Sequence, residues 1–210
     1  MESQRRPLNR CDEGAALLLV MMVVLALSGL AFAAVSLADL EGAASANDAR
    51  ALAVSYAAEA AIERAIDDLA AATNWSDVLT GAVSSPLRDI DPRPRAPWAD
   101  VLDIGAMTAE VQRDADVGVG PDQTRWRVFL AGPLAAMLPD TPPGVLPYLV
   151  AWVGDDRADG DGNALADANQ VVRVRARALG PRGVRSDREA VLERLASTGV
   201  VRVRSRWEPR

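Results

Sequence analysis

From Ala15 to Ala38 the chain reads AALLLVMMVVLALSGLAFAAVSLA, 24 residues without a charge. Coiled as a helix at roughly 1.5 Å per residue, this run extends about 36 Å, enough to cross a hydrocarbon core of about 30 Å. Ser28 and Gly29 within it are tolerated in lipid, because the backbone of a helix stays hydrogen-bonded to itself. Arg5, Arg6 and Arg10 precede the run, whereas Asp39, Glu41 and Asp48 follow it with no basic residue before Arg50. The positive-inside rule then predicts a single-pass chain with its N-terminus in the cytoplasm and the remainder outside. Three fates fit such a segment: an uncleaved anchor, a secretory signal cut after Ala31-Phe32-Ala33, or a segment trimmed on its cytoplasmic side. The run is long for a signal-peptide core of about 7–15 residues and continues past the small-residue site. Cys11 precedes the apolar stretch, which excludes a lipoprotein.

The rest of the chain is polar, acidic and rich in Pro and Gly. Its 29 acidic residues outnumber its 23 basic ones, for a net charge of -6, so no nucleic-acid partner is expected. Every basic residue is arginine and there is no histidine, which removes the usual neutral-pH acid/base and the commonest zinc ligand. One cysteine allows no intramolecular disulfide. No Gly-x-Ser-x-Gly elbow, P-loop or Gly-x-Gly-x-x-Gly follows a strand, and the expectation is that the protein is not an enzyme.

At the start of the apolar run, Cys11-Asp12-Glu13-Gly14-Ala15-Ala16-Leu17-Leu18 sets a short charged leader against a glycine and an immediate apolar helix. Further on, Tyr56-Ala57-Ala58-Glu59-Ala60-Ala61-Ile62-Glu63-Arg64-Ala65 resembles the signature that follows the membrane helix in PilX-type minor pilins. Over about the first 70 residues the chain thus resembles the type IV pilin and pseudopilin family. That resemblance implies cleavage by prepilin peptidase between Gly14 and Ala15, with methylation of the new N-terminus at Ala15. It implies a minor pilin or pseudopilin held in the bacterial inner membrane, with its C-terminal domain in the periplasm, that later enters a cell-surface pilus-like fibre. The partners implied are other pilins or pseudopilins, the inner-membrane assembly platform, prepilin peptidase and the lipid bilayer. Most major pilins carry glutamate five residues into the mature chain. Here that position is Leu19, as in minor subunits that lack the glutamate. The rival reading is a membrane-anchored extracytoplasmic binding or sensor domain that does not polymerise.

No proline interrupts the chain between the apolar run and Pro86, so the helix is expected to continue into an amphipathic half over residues 39–74. A helix from Ala15 to about Ala70 would be roughly 84 Å long, far beyond a bilayer's needs, so its outer half must pack on something. Ile62, Ile66 and Leu69 form a stripe, with Arg64, Asp67 and Asp68 turned away. Glu59 and Glu63, one turn apart, read as a solvated helix edge. A Pro-rich connector is expected over 75–97, its sequence SSPLRDIDPRPRAP carrying four prolines.

Strands are predicted at Glu110–Gly118, Arg125–Ala131, Tyr148–Gly154, Val171–Leu179 and Val200–Trp207, with Arg185–Ala196 leaning to strand. Alternating Val and Arg in 171–178 and 201–204 suggest half-buried antiparallel strands with a solvated arginine face. Trp98, Trp126, Trp152 and Trp207 are expected to pack the sheet on the long helix. The whole is an α+β fold: a leader (1–14), a transmembrane helix half (15–38), an amphipathic half (39–74), the connector (75–97), and a β-rich domain (98–210) whose small antiparallel sheet packs on the outer half of the helix. One loop, Asp155 to Asn169, presents oxygen ligands at Asp159, Asp161 and Asn163, the alternate spacing a calcium ion needs. The match is incomplete, with Ala164 and Gln170 where an EF-hand needs glycine and glutamate, and Asp, Asn and Gly also build ordinary turns. Calcium is therefore only a candidate, and no other cofactor is expected.

Overall fold

The structure is a computed structural model that describes residues 10–89, 91, 93–96, 98, 101–116, 124–138, 146–158 and 160–209, without the side chains of 10–13 and 115–116. Helix α1 spans Arg10–Ala71, so it begins within the predicted leader and stops three residues short of the predicted end at 74. The described chain divides after Asp48 into two compact units. In the first unit the large apolar side chains of α1 from Leu17 to Leu40 are all exposed, by 47% to 76%. One helix near the N-terminus is thus long and apolar enough to cross a membrane.

The second unit, from Ala49, holds a five-stranded antiparallel sheet in the order β1 (Arg127–Pro133), β2 (Tyr148–Asp155), β3 (Val171–Leu179), β4 (Arg185–Arg194) and β5 (Val201–Trp207). Every strand pairs antiparallel with its sequence neighbour. The outer part of α1 packs on one sheet face through Val54, Ala57, Ala58, Ala61, Ile62, Ala65 and Leu69, spaced three or four apart. The four alanines let the helix approach the strands closely. Gly180, in the β3–β4 turn, is needed for that approach: a Cβ there would lie 2.6 Å from Val54 Cγ2. Facing the helix are Leu149, Ala151 and Val153 of β2, Val172, Val174, Ala176 and Ala178 of β3, and Ala190 and Leu192 of β4. The alternate positions of β2 and β3 point the other way. The predicted α+β class holds, as does the packing of the sheet on the helix.

Several expectations are corrected. Over Glu110–Gly118 the described residues are helical, not a strand: α3 spans Ile104–Asp116, while residues 117–118 lie outside the description. Ile104, Met107 and Val111 recur at helical spacing and pack on the second sheet face, and Asp103 Oδ1 accepts from the Ala106 N–H at 2.8 Å at the start of the helix. The connector does not begin at 75, because α2 occupies Trp75–Thr80. Asn74 caps it by accepting from the Ser76 N–H at 3.0 Å, Gly81 closes it at φ 84°, and Pro86 comes too late to prevent it. Trp75, Val78 and Leu79 pin this short helix into the core.

The tryptophans are corrected as well. Trp126 and Trp152, with Trp98 packed against them, lie in a second cluster with Ile104, Val111, Tyr148 and Val150, on the face away from α1. Trp207 is 39% exposed. Asp68, predicted to turn away from the core, accepts from Ser85 Oγ at 2.5 Å and from Arg64 Nε at 3.0 Å. Ser85 stands in the stretch after α2 that lies along the outer edge of β1, where the Asp89 N–H donates to the Ala131 carbonyl at 2.7 Å and the Ala131 N–H donates to the Leu87 carbonyl at 3.0 Å. The edge of β5 faces no described strand.

Candidate functional site

Gly14 and Ala15 both lie within α1 and are exposed, and a Cβ built on Gly14 would meet nothing within 4 Å. Leu19 is 65% exposed in the same apolar stretch. The site residues at this end are therefore exposed on an apolar helix, next to a side-chain surface that water does not favour.

About forty residues on, polar contacts tie the same helix to the sheet. Arg188 of β4 donates from Nε to Glu59 Oε1 at 3.0 Å and from a terminal nitrogen to Ser55 Oγ at 2.6 Å. Arg206 of β5 donates to Glu59 Oε2 at 3.2 Å and to Glu63 Oε1 at 2.5 Å. Glu59 and Glu63 are thus not a free solvated edge, since each faces an arginine that screens their mutual repulsion. These partly exposed pairs fix which way the strands lie on the helix more than they stabilise it.

The end of α1 is held from the sheet too. No basic residue occupies its last turn, yet carbonyls there lack helical partners and carry the negative end of the helix dipole. Arg194 of β4 supplies the missing cation. Its guanidinium donates to the carbonyls of Thr73 at 3.0 Å, Leu69 at 2.9 Å and Ala72 at 2.5 Å, and lies 4.5 Å from the centre of the Trp75 ring. Arg188, Arg194 and Arg206 were not singled out from the sequence. The only signal was the recurrence of arginine in the strands, which does not say what each one meets.

On the opposite face, the β3 arginines are not the solvated row predicted. Arg175 and Arg177 are buried, because α3 covers them with Glu110 and Asp114. Arg177 donates to Asp187 Oδ1 at 2.7 Å and to Glu110 Oε2 at 3.0 Å, and lies 5.9 Å from the Trp152 ring. Arg173 pairs with Glu189 and lies 5.3 Å from the Trp126 ring. The hydrogen bonds of Arg177 come first in holding the Glu110 carboxyl below its usual range, against partial burial. Burial works most strongly against ionised Asp187, but the bonds and charges of Arg177 and Arg175 outweigh it and hold that carboxyl low as well. The solvated-row reading survives only on β5, where Arg202 and Arg204 are half exposed. Beside this network lies a cleft of about 400 Å³ lined by Asp114, Trp126, Arg173, Arg175, Glu189 and Trp207.

Of the three candidate calcium ligands, Asp159 lies outside the described residues. Asp161 accepts from the Asn163 N–H at 2.7 Å, and Asn163 Oδ1 accepts from the Leu165 N–H at 3.2 Å. Both side chains thereby hold turns of the loop. Asp167 and Asn169 both accept from the Val171 N–H, tying the loop to the start of β3. Among the described residues, no group of three or more Cys, Asp or Glu is placed to hold a metal ion. Comparison with protein-family models, curated proteins and solved structures finds no match to this chain.

Proposed function

We propose that this chain is a minor pilin or pseudopilin, a structural and assembly subunit of a type IV pilus-like fibre. Prepilin peptidase would trim it after Gly14, and it would wait in the inner membrane until assembly. One observation carries the reading: a single helix presents an exposed apolar surface from Leu17 to Leu40 and, farther along, builds its own domain's core through Val54 to Leu69. A plain membrane anchor needs only about 20 residues. A helix that serves lipid at one end and a folded domain at the other suits a subunit that must leave the bilayer with its domain attached.

The exposed apolar half would pack among like helices once out of lipid, by side-chain contacts of the kind that join helices in membranes. Other pilins or pseudopilins and an assembly platform are the partners this reading requires. Arg5, Arg6 and Arg10 before the helix, and Asp39 and Glu41 along it, support a cytoplasmic N-terminus and a periplasmic domain. The role is mechanical and not enzymatic: the ionised groups of the sheet's second face are engaged chiefly with one another.

The test is intact mass and N-terminal sequencing of the protein from its native membrane, with and without prepilin peptidase. The expected mature chain starts at a methylated Ala15 and depends on that enzyme. A start near Ala34 would make this a secreted protein. An unprocessed Met1 end would leave the single-pass binding or sensor domain instead; either result refutes the assembly reading.

A further inference from the structure

We propose that residues 41–48 of α1 form a built-in break point, where the helix opens locally while the stretches on either side stay closed. The segment reads Glu41-Gly42-Ala43-Ala44-Ser45-Ala46-Asn47-Asp48. None of its side chains is buried, and a Cβ built on Gly42 would meet nothing within 4 Å. Between Leu40 and Leu52 the only apolar side chains are alanines. Before the segment lies the apolar run, whose backbone keeps its hydrogen bonds wherever lipid or detergent surrounds it. After it, Val54, Ala57, Ala58 and Ala61 pack on the sheet and are at most 2% exposed. Most helical stability in proteins comes from such packing of one face. The segment has neither support, so its helicity rests chiefly on the propensity of its own residues.

Magnitudes decide whether such a stretch holds. Opening a helix from within creates a new pair of ends, a penalty of about a thousandfold set by the nucleation constant. Against that, glycine weakens a helix about fivefold relative to alanine, and serine, asparagine and aspartate about two- to threefold each. Gly42, Ser45, Asn47 and Asp48 together offset about a hundredfold of the penalty, which leaves the opened form only about tenfold rarer than the closed one. Backbone groups freed there find water, because the segment is exposed and polar. Over residues 54–69, opening would also uncover the core and is rarer by orders of magnitude. The consequence is mechanical. A helix of 62 residues acts as a lever, and if it never gave way, tilt of its apolar end would strain the contact that residues 54–69 make with the sheet. Opening at 41–48 absorbs that strain before it reaches the core. The device needs only that the apolar run be covered, so it does not rest on assembly into a fibre.

The test is hydrogen–deuterium exchange of the full chain in a maltoside detergent, read by mass spectrometry on overlapping peptides along α1. Amides of residues 43–49 should be protected only about tenfold relative to an unstructured peptide, against about a thousandfold or more for residues 57–69. Combining Gly42→Ala, Ser45→Ala, Asn47→Ala and Asp48→Ala should raise protection at 43–49 about a hundredfold. Unchanged exchange of residues 57–69 reports that this variant is folded, and the substitutions favour the helix already present. Protection of residues 43–49 by about a hundredfold or more in the unaltered chain would overturn the inference. So would a folded combined variant whose residues 43–49 exchange no more slowly than before.

Discussion

Replacing Arg194 with alanine should loosen the end of α1 although the residue belongs to β4. Its guanidinium donates to three carbonyls at 2.5–3.0 Å from the last turn of α1 and the residues just beyond it, and stacks 4.5 Å from the Trp75 ring. A single hydrogen bond from a charged donor contributes about 1.5–3 kcal/mol, but these three share one partly buried group and do not add. The stack adds about 1 kcal/mol and the helix-end charge about 0.5 kcal/mol. Arg194→Ala should therefore cost about 3 kcal/mol. For a folded unit of this size that lowers the melting temperature by roughly 6–12 °C. Lysine restores a point charge without the planar fork, so Arg194→Lys should recover only about a third. Thermal unfolding of the full chain in detergent, followed by tryptophan fluorescence, measures both. A loss below about 0.5 kcal/mol for alanine, or lysine equal to arginine, would refute the capping argument.

Gly180→Ala should cost about 1–3 kcal/mol by forcing its new Cβ against Val54, and pairing it with Val54→Ala should recover most of that; additive losses in the double variant would show that the contact is not the cause. Stability should fall as the medium is acidified below the ordinary carboxylate range of about 4, because Glu110 and Asp187 have folded pKa values held low by Arg177. The sign follows from proton uptake: the unfolded chain binds these protons first, so stability is present above the unfolded values and is lost as pH drops through the folded ones. Urea midpoints measured against pH should show a shallower acid limb in Glu110→Gln, and an unchanged limb would rule out this pair as the source.

The strands were legible where alternation ran long enough. Val171–Leu179 was located to the residue, and Arg185–Arg194 was recovered despite its charge, because both strands carry apolar residues at alternate positions. The outer stripe of α1 was visible from Ile62 and Leu69 by helical spacing, although the four alanines that make the contact close were not. What the sequence hid was the second layer. Alternating arginines mean an outward face only if nothing covers that face, and α3, which covers it, was itself read as a strand. Covering α3 turned Arg175 and Arg177 from surface groups into buried ones. The partners of Glu59 and Glu63 were hidden for another reason: Arg188 and Arg206 stand 129 and 143 residues away, and charge alone does not say which arginine meets which acid.

The two borders of the sheet are finished differently. Along β1 the stretch from Ser85 to Asp89 uses up backbone groups that would otherwise invite another strand. Along β5 no described strand does so, and the arginines there are held by acids of the same unit: Arg202 and Arg204 by Glu193, Arg206 by Glu59 and Glu63. A further strand laid along β5 would have to fit around these long charged side chains, a feature that guards an open sheet border against pairing.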